Sequence, residues 1–380
     1  MKFGIAAIFK NEYEYILEWI VYHQLIGVDA FYVADNISDD GTSQLLEALD
    51  SLGVINRIYF PRVEDRGPQM PAYNLILNRF GDEVDLLGFI DADEFIVNTQ
   101  DVNLKDLLSG FNQIEDAGAL ALNWRNFGSS GHRFKSDGLV IERFTQASKQ
   151  GHEFNRHIKT ILKPPMVEKM HVHECVLKAG CYYSANFQPT EFENGGPNEP
   201  KTAQVSYDGL RINHYVVKSR YEHAMKKEHK GSGAGSSTRK KGEAYFKAHD
   251  LNDEHDDALL CYVENVKNGV AQLKERIAAE TPYLCYGKIF IDVGPDLITG
   301  WATAEFAGPI KIRLLINGEE YLVELNRDRP DVVRKGLSQN LKCGFAFKPK
   351  KSLSSRDEIE AYIYGTNIAA KVNSRLDANL

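Results

Sequence analysis

The sequence lacks the features that mark disulfide-rich and membrane-spanning proteins. Its five cysteines are dilute and include no CxxC pair, which argues against a disulfide scaffold or a structural zinc ribbon and favours a reducing compartment. No run of 18 apolar residues occurs, so the sequence predicts no transmembrane helix. The apolar run over residues 3–9 is short and leads directly into charged residues, which favours a buried strand over a signal peptide. We therefore expect a cytoplasmic protein, with peripheral contact at the inner face of the membrane left open.

Positive charge is also scarce. The chain carries 45 Lys and Arg against 53 Asp and Glu, which gives a net charge of −8 and a pI near 5.8. A globally basic nucleic-acid binder is therefore excluded, and no nucleic-acid partner is expected. Hydrophobic residues make up 43% of the chain and charged residues 26%, a composition typical of globular proteins. A length of 380 residues favours two domains.

The first ninety residues alternate between strand-like and helix-like patterns. Apolar runs near residues 3–9, 30–34, 54–60 and 86–90 predict strands, and the segments between them have helical spacing. Asn11 is expected to cap the first helix. Strands joined by helices of this length predict an α/β fold with a parallel sheet, whose ligands bind beyond the carboxyl ends of the strands.

Later segments differ in composition. Residues 218–242 are basic and rich in Gly and Ser, and residues 243–280 have a helical pattern. The last hundred residues contain alternating apolar positions around Asn317-Gly318, a strong hairpin signal, which predicts a small all-β sandwich. We expect a catalytic domain over residues 1–280 and an accessory domain over residues 282–380, with the boundary near Thr281-Pro282. The oligomeric state is left open.

Asp91-Ala92-Asp93 is the first candidate functional motif. A buried apolar strand leads directly into these residues, and carboxylates at i and i+2 on a strand end lie on the same side. Such a pair can hold a hard divalent cation, which can bridge a diphosphate. The alternative is a helix cap or a solvated turn.

A second motif follows the second predicted strand. Asp35 and Asn36 begin a loop that continues through Ser38 to Gly41 and Thr42. A carboxylate and an amide at a strand end can bind a nucleobase or a ribose. The alternative is structural, because Asx and Ser turns before a helix use the same residue types.

These two motifs belong to a wider spaced set, Ala7-Ile8-Phe9-Lys10-Asn11-Glu12, Glu18-Trp19, Tyr22-His23, Asp35-Asn36-x-Ser38-x-Asp40-Gly41-Thr42 and Phe89-Ile90-Asp91-Ala92-Asp93-Glu94-Phe95. The set resembles bacterial GT-A glycosyltransferases of the family-2-like group related to glycosyltransferase family 92, over roughly residues 1–230. The tail resembles the β-sandwich often appended to such enzymes, in the segments Ile298-x-Gly300-Trp301-Ala302, Arg329-Pro330-Asp331-Val332 and Gly344-Phe345-x-Phe347.

The resemblance implies a nucleotide-sugar donor and a divalent Mn²⁺ or Mg²⁺ ion on the DxD motif. It implies transfer to a glycan or lipid-linked glycan hydroxyl, with inversion, in bacterial surface polysaccharide synthesis. A UDP-sugar is the expected donor, with a galactose-type sugar as the expected transferred group. Asp93, with Asp91, would then hold the ion. His214 resembles the later His that completes the metal shell, although a His at a strand end is more often merely packed.

Other residues receive roles on the same basis. Lys218 would contact the diphosphate, and residues 218–242 would form a lid that orders over the donor, unless they form a solvated loop. Aromatic and amide side chains suit a sugar acceptor, although Trp124 could equally be core. The expected donor-side residues are Lys10, Asn11, Asp35, Asn36, Gln69, Tyr73, Asn74, Asp91 and Lys218. The expected acceptor-side residues are Asn123, Trp124, Arg125 and His132.

Inverting transfer needs a general base near the acceptor hydroxyl. Glu174 is the leading candidate, and Asp137 and Glu153 are the alternatives. Spacing predicts a strand over residues 171–175 with Glu174 on one face and His171 and His173 on the other. Zinc binding by the two histidines is disfavoured because no further ligands cluster with them in the sequence.

Two other classes of protein compete with this interpretation. A sugar nucleotidyltransferase would need a Gly-rich phosphate loop after the first strand, where this chain has Phe9-Lys10-Asn11-Glu12. A non-catalytic glycan-binding protein would use the C-terminal sandwich, but the intact DxD motif argues against a decayed catalytic domain.

Overall fold

The computed structural model describes residues 1–38, 40–61, 67–100, 102–194, 200–226, 242–280, 287–304, 310–364 and 368–376. The chain divides into two compact units, Met1–Leu273 and Lys274–Leu380. The expected domain boundary at Thr281-Pro282 lies outside the described residues, as do residues 227–241 of the expected lid.

The first unit combines strands with helices as expected. Its strands are Phe3–Phe9 (β1), Ala30–Asp35 (β2), Asn56–Tyr59 (β3), Leu86–Phe89 (β4), Glu94–Asn98 (β5), Ala117–Asn126 (β6), Gln146–Ala147 (β7), Ile158–Leu162 (β8), Val167–Met170 (β9), Cys175–Leu177 (β10), Cys181–Ser184 (β11), Leu210–His214 (β12) and Glu254–His255 (β13). Its helices are Tyr13–Leu25 (α1), Thr42–Ser51 (α2), Gln69–Phe80 (α3), Leu104–Gln113 (α4), Val140–Arg143 (α5), Arg220–Lys226 (α6), Glu243–His249 (α7) and Val263–Glu280 (α8), which runs past the boundary between the units.

The main sheet has the strand order β3-β2-β1-β4-β8-β6-β12-β5, with β11 also paired to β6. β1 pairs in parallel with β2 and β4, whereas β8 is antiparallel to both β4 and β6. β12 is parallel to β6 and antiparallel to β5. The sheet is therefore mixed rather than purely parallel. The carboxyl ends of β1, β2, β4, β6 and β12 meet along one side of the sheet, which we call the carboxyl edge.

The strands β1, β2 and β4 are buried in the first unit. All seven residues of β1 except Ile8 are buried, as are all of β2 and β4. Strands covered on both faces read as continuous apolar runs. The expectation of an α/β domain followed by a small β unit is confirmed.

The start of α1 differs from the expectation. Glu12, not Asn11, is the N-cap residue, and its side chain makes no capping bond. Asn11 instead has a φ of 54°, and its backbone N–H donates to Ser38 Oγ at 3.0 Å. Thr42 Oγ1 accepts from the Glu12 N–H at 2.9 Å. These bonds join the β1–α1 loop to the β2–α2 loop, so the second motif does supply turn structure.

Two further segments correct the sequence analysis. The predicted helix over residues 243–280 is two helices, α7 and α8, separated by residues that include β13. The predicted strand over residues 171–175 is the turn of a hairpin in which β9 and β10 pair antiparallel, and Cys175 alone belongs to a strand.

The second unit contains two small sheets. Its elements are Gly287–Val293 (β14), Ile298–Ala304 (β15), Lys311–Ile316 (β16), Glu319–Glu324 (β17), Pro330–Arg334 (α9), Gly344–Phe347 (β18), Ile359–Ile363 (β19) and Lys371–Ser374 (β20). The sheets have the orders β18-β15-β14-β20 and β17-β16-β19. Alternating residues of both sheets, such as Ile291 and Leu314, belong to one buried cluster. Asn317-Gly318 lies between β16 and β17, which pair antiparallel.

In the described ranges, no helix is both long enough and apolar enough to cross a bilayer.

His23 links the fold to pH. It is fully buried, its Nδ1 lies 2.8 Å from the Trp19 carbonyl oxygen, and its Nε2 accepts from the Ile96 N–H at 3.3 Å. Burial lowers the pKa of His23 to about 3. Between pH 6.5 and 3 the unfolded chain thus binds a proton that the folded chain excludes, so the stability from this residue is complete above pH 6.5 and falls as the pH drops.

We expect proton uptake by His23 in the unfolded chain to lower the free energy of unfolding by about 2 kcal/mol between pH 7 and pH 5. Urea unfolding at both pH values should therefore give a smaller pH dependence for His23→Gln than for the wild-type protein. His255→Gln, at an exposed histidine, is the control and should keep the wild-type pH dependence. An unchanged pH dependence in His23→Gln would refute the neutral buried imidazole.

Candidate functional site

The DxD residues lie at the carboxyl edge, immediately after β4. The Trp19 indole Nε1–H donates to the carbonyl oxygens of Asp91, at 3.1 Å, and of Glu94, at 2.9 Å. The Glu94 N–H donates to the Asp91 carbonyl at 3.1 Å. A buried tryptophan of α1 thus fixes the turn that carries both aspartates.

Asp91 is held by three side-chain donors. Its Oδ1 accepts from Gln69 Nε2 at 2.7 Å and from the Tyr73 hydroxyl at 3.0 Å, and its Oδ2 accepts from Lys159 Nζ at 2.9 Å. Although burial raises the pKa of Asp91, the Lys159 ammonium lowers it below its ordinary value. Gln69 and Tyr73, expected on the donor side, therefore orient Asp91. These three bonds leave lone pairs on a carboxylate whose side chain is 32% exposed. The role of Asp91 as a metal ligand therefore stays a prediction, beside its pairing with Lys159.

Lys159 was not anticipated as a site residue. Its side chain is fully buried, and Nζ lies 3.5 Å from Glu94 Oε2 as well as 2.9 Å from Asp91 Oδ2. Burial, with further contributions from Asp91 and Asp93, raises the pKa of Glu94 to about 8 despite Lys159. Glu94 is thus largely protonated at neutral pH, and the ammonium is balanced by Asp91. A lysine inside the apolar strand β8 is the signal in the sequence that could have indicated a buried charge partner.

This arrangement predicts opposite outcomes for two substitutions. Lys159→Met should lower the free energy of unfolding by about 2–3 kcal/mol, because it removes the charge partner of the half-buried Asp91 carboxylate. Glu94→Gln should cost under about 1 kcal/mol at pH 7, since a largely neutral side chain is replaced by a neutral isostere. Urea unfolding followed by tryptophan fluorescence measures both. Equal losses in the two variants would contradict the assignment of charge within this group.

Asp93 faces His214 across the carboxyl edge. Asp93 Oδ1 lies 3.8 Å from His214 Nε2, and both side chains are about nine-tenths buried. β12 brings His214 there by pairing with β5, in which His214 is opposite Glu94. The Tyr215 N–H donates to the Asp93 carbonyl at 2.9 Å. The other ring nitrogen of His214, Nδ1, lies 3.0 Å from Asn126 Oδ1.

Only part of a metal shell is present. For the part of the chain that the structure describes, no group of three or more His, Cys, Asp or Glu side chains is arranged to hold a metal ion. Asp93 and His214 nevertheless place one carboxylate oxygen and one imidazole nitrogen 3.8 Å apart. A mixed oxygen and nitrogen pair suits Mn²⁺ better than Mg²⁺, which prefers oxygen ligands. The pair therefore fits a divalent ion whose remaining ligands come from elsewhere.

Trp124 lies beside this pair in a cluster of rings. Its ring centroid is 4.2 Å from that of His214, 4.9 Å from that of His157 and 5.3 Å from that of His173. Burial, together with Lys159, lowers the pKa of His173 to about 3, so this ring is neutral. Trp124 Nε1 is buried and has no hydrogen-bond partner within the described residues.

The loops after β1 and β2 contain the expected nucleotide-binding residues. Lys10 Nζ donates to the Ile37 carbonyl at 2.9 Å. Asp35 is fully buried, and its carboxylate accepts from Ser43 Oγ and from two nitrogens of Arg57. The Asp35 carboxylate is therefore paired with Arg57, a partner that the sequence analysis did not predict. Asn36 Oδ1, by contrast, is buried without a hydrogen-bond partner among the described residues.

Three other expected contact residues serve the fold. Asn74 Nδ2 donates to the Met170 carbonyl, and its Oδ1 accepts from the Met170 N–H, which fastens α3 to β9. Asn123 is buried, and its amide bonds to the Asn155 and Arg156 carbonyls, Thr202 Oγ1 and the Ser206 N–H. Arg125 pairs with Glu254 and Asp256, each at 2.9 Å. Because these polar groups are already engaged, we withdraw the donor role of Asn74 and the acceptor roles of Asn123 and Arg125.

Lys218 belongs to a second group of buried charges. It is 4% exposed, and its ammonium lies 4.3 Å from the centroid of the Tyr15 ring. Nearby, Arg143 donates to both carboxylate oxygens of Glu222 at 2.9 Å. Burial raises the pKa of Glu222, but the Arg143 bonds outweigh it and lower the value to about 2. His132 Nε2 lies 3.0 Å from the Arg143 carbonyl, so the expected acceptor residue His132 packs against α5.

The candidate bases differ in their surroundings. Glu174, in the turn between β9 and β10, is 7% exposed, and its Oε1 lies 2.8 Å from His171 Nδ1. The same turn contacts the DxD region, because Lys159 Nζ lies 3.4 Å from the Val172 carbonyl. Asp137 and Glu153 are both exposed. Glu174 is thus the candidate whose turn adjoins Lys159 and Asp91.

Curated relatives match parts of the chain. A glycosyltransferase family 92 protein of Oryza sativa subsp. japonica is 30% identical over 33% of this chain and 21% of its own length. One of Arabidopsis thaliana is 26% identical over 46% of this chain and 32% of its own length. The chain therefore spans about a fifth to a third of these relatives.

Solved structures match weakly. TarS residues 1–349 of S. aureus in complex with UDP has 19% identity and a TM-score of 0.28, with 44% of this chain and 48% of that chain covered. Glucosyl-3-phosphoglycerate synthase of Mycobacterium tuberculosis, in complex with Mn²⁺, UDP and glucosyl-3-phosphoglycerate, has 16% identity and a TM-score of 0.27, with 44% and 58% covered. Scores this low do not by themselves establish a common fold.

The family model gives the decisive match. The model described as Glycosyltransferase family 92 matches residues 3–195, just over half of the 380-residue chain. This range contains β1 to β11, the DxD residues, Lys159 and the turn with Glu174. The chain belongs to glycosyltransferase family 92.

Proposed function

We propose that this chain is a metal-dependent, inverting glycosyltransferase that moves a sugar from a nucleotide-sugar, with a UDP-sugar as the expected donor, to a glycan hydroxyl. The observation that carries the proposal is the Asp93–His214 pair, separated by 3.8 Å at the carboxyl edge of a sheet in a family 92 chain. Ligands of α/β sheets bind beyond the carboxyl ends of the strands.

The metal would serve the leaving group. Asp93 and His214 would hold a divalent ion, and the donor diphosphate and water would supply its other ligands. Such an ion would supply positive charge against the nucleoside diphosphate leaving group. Asp91 and Lys159 would keep their ion pair. This pair would hold the turn that contains Asp93 in place. Lys218 remains our proposed contact to the diphosphate, as a point charge.

Asn36 is the best-supported contact to the nucleobase. Its Oδ1 is a buried acceptor without a partner in the described ranges, and such a group is costly unless a ligand satisfies it. The imide N–H of a uracil base is a donor that this oxygen could accept. Asp35 would act behind it, since its carboxylate is bound by Arg57 and Ser43.

The acceptor would bind near Trp124 and Glu174. The orphan Nε1–H of Trp124 can donate to a sugar hydroxyl, and aromatic faces suit the apolar faces of sugars. Glu174 would accept the proton of the attacking hydroxyl. Glycan or lipid-linked acceptors and a role in bacterial surface polysaccharide synthesis belong to the same proposal and derive from the resemblance. The proposed cytoplasmic location derives from the dilute cysteines.

Donor turnover tests the proposal. The full chain is incubated with a panel of nucleotide sugars and Mn²⁺, and the release of nucleoside diphosphate is measured. We expect release from at least one donor and its loss in EDTA. Formation of pyrophosphate from a nucleoside triphosphate and a sugar phosphate would instead indicate a nucleotidyltransferase. Release that is unaffected by EDTA would contradict metal dependence.

A further inference from the structure

Two buried asparagines are hydrogen-bonded in series next to His214: Asn126 contacts the imidazole, and Asn155 contacts Asn126. Asn155 is fully buried and Asn126 is 1% exposed. Asn155 Nδ2 donates to the backbone carbonyls of Lys149, at 2.9 Å, and of Gln150, at 3.1 Å. Carbonyl oxygens only accept, so the NH₂ group of Asn155 must face them. The orientation of this amide is therefore fixed by the backbone.

The orientation of the Asn155 amide in turn fixes the orientation of the Asn126 amide. Asn155 Oδ1 accepts from the backbone N–H of Asn126 at 3.1 Å and from Asn126 Nδ2 at 2.9 Å. A backbone N–H can only donate, which confirms that an oxygen of Asn155 lies there. The NH₂ group of Asn126 therefore faces Asn155, and Asn126 Oδ1 must face His214.

His214 is thereby left with one favourable tautomer. Asn126 Oδ1 lies 3.0 Å from His214 Nδ1 and cannot donate, so Nδ1 must carry the hydrogen. Nε2 then carries the lone pair, and Nε2 is the atom 3.8 Å from Asp93 Oδ1. The other tautomer would place two acceptors against each other inside a buried network, where an unsatisfied polar contact is most costly.

We propose that Asn126 and Asn155 are positioning residues that hold His214 in the Nδ1-protonated tautomer, so that its Nε2 lone pair is available to the divalent ion. The inference rests on the proposed metal-dependent function. Groups that bond the second ring nitrogen of a metal-binding histidine typically change metal affinity by about 10–100-fold when they are removed.

Strand β6 supplies a matched control. Asn123 is as buried as Asn126, and its amide also makes several hydrogen bonds, to groups of residues 155, 156, 202 and 206. Asn123→Ala should disturb the structure without changing the tautomer. Asn126→Asp is the rescue variant, because one oxygen of the side chain can still accept from Nδ1–H while the other, carrying a proton, donates to Asn155 Oδ1 as Nδ2 does in the wild-type protein. Asn126→Ala removes the acceptor.

The tautomer is measured directly in the metal-free protein. Long-range ¹H–¹⁵N NMR of ¹⁵N-imidazole-labelled protein, with His214→Gln to assign the signal, distinguishes the two tautomers. We expect Nδ1–H in the wild-type protein, in Asn123→Ala and in Asn126→Asp, and a shift toward Nε2–H in Asn126→Ala. An Nε2–H tautomer in the wild-type protein would overturn the inference and needs no variant to fold.

Metal affinity provides the second readout. Titration of Mn²⁺ followed by electron paramagnetic resonance, with UDP present, should show a dissociation constant about 10–100-fold higher for Asn126→Ala, and within about threefold of wild type for Asn126→Asp. Normal affinity in Asn126→Ala would overturn only this inference. A wild-type protein that binds no Mn²⁺ would overturn the proposed function itself.

Discussion

Asp93→Asn should reduce sugar transfer by about 10²–10³-fold or more, because it removes the charged ligand of the ion that stabilises the leaving diphosphate. The amide keeps the size of the side chain, and Asp93 is not part of the Asp91–Lys159 ion pair, so the fold should be retained. Initial rates at saturating donor, with and without added Mn²⁺, measure the effect. Donor binding should weaken mainly when the metal is present.

Two further variants make this result interpretable. His214→Gln should lower Mn²⁺ affinity, as Asp93→Asn should, since His214 Nε2 lies 3.8 Å from Asp93 Oδ1. Asp208→Asn, which makes the same change of charge at an exposed position, should keep the wild-type rate. Full activity in Asp93→Asn, or an equal loss in Asp208→Asn, would refute a specific role for Asp93.

Glu174→Gln should reduce transfer by about 10²–10⁴-fold, the usual contribution of a general base, while nucleoside diphosphate affinity stays nearly unchanged. Gln can still receive the bond from His171, which lies 2.8 Å from Glu174 Oε1, but it cannot take up a proton from the acceptor. Initial rates with the acceptor and calorimetric titration of nucleoside diphosphate with Mn²⁺ measure the two properties separately.

The alternative bases serve as controls for Glu174. Asp137→Asn and Glu153→Gln change exposed carboxylates and should leave the rate within about threefold of wild type. A wild-type rate in Glu174→Gln, with a large loss in one of the other two, would transfer the role of base to that residue. Lost nucleotide affinity in Glu174→Gln would instead place Glu174 on the donor side.

Local pattern was sufficient for the α/β class of the first unit and for the position of the DxD motif. β1 and β4 are continuous apolar runs that end at polar residues, and such runs are legible in a single sequence. Because parallel strands share a carboxyl edge, their ends could be brought together before the structure was known. The antiparallel insertion of β8 could not, since nothing local to residues 158–162 specifies which strands it joins.

The partners of the polar residues depended on contacts distant in the chain. Lys159 is 68 residues from Asp91, and Arg57 is 22 residues from Asp35. The sequence shows that a position is an asparagine or an aspartate, but it does not show which groups its side chain already bonds within the fold. Asn74 and Asn123 were therefore predicted to contact ligands, although their amides fasten backbone segments together. Asn36 has the same side chain, yet its oxygen has no partner in the described structure.

The most direct test of the account is the position of Mn²⁺ in crystals of the full chain grown with UDP and MnCl₂. The manganese anomalous signal locates the ion independently of any activity assay. We predict a peak within bonding distance of an Asp93 carboxylate oxygen and of His214 Nε2, with Asp91 still paired to Lys159. An ion bound by Asp91 in place of His214, or nucleotide at the carboxyl edge with no manganese beside Asp93, would contradict it.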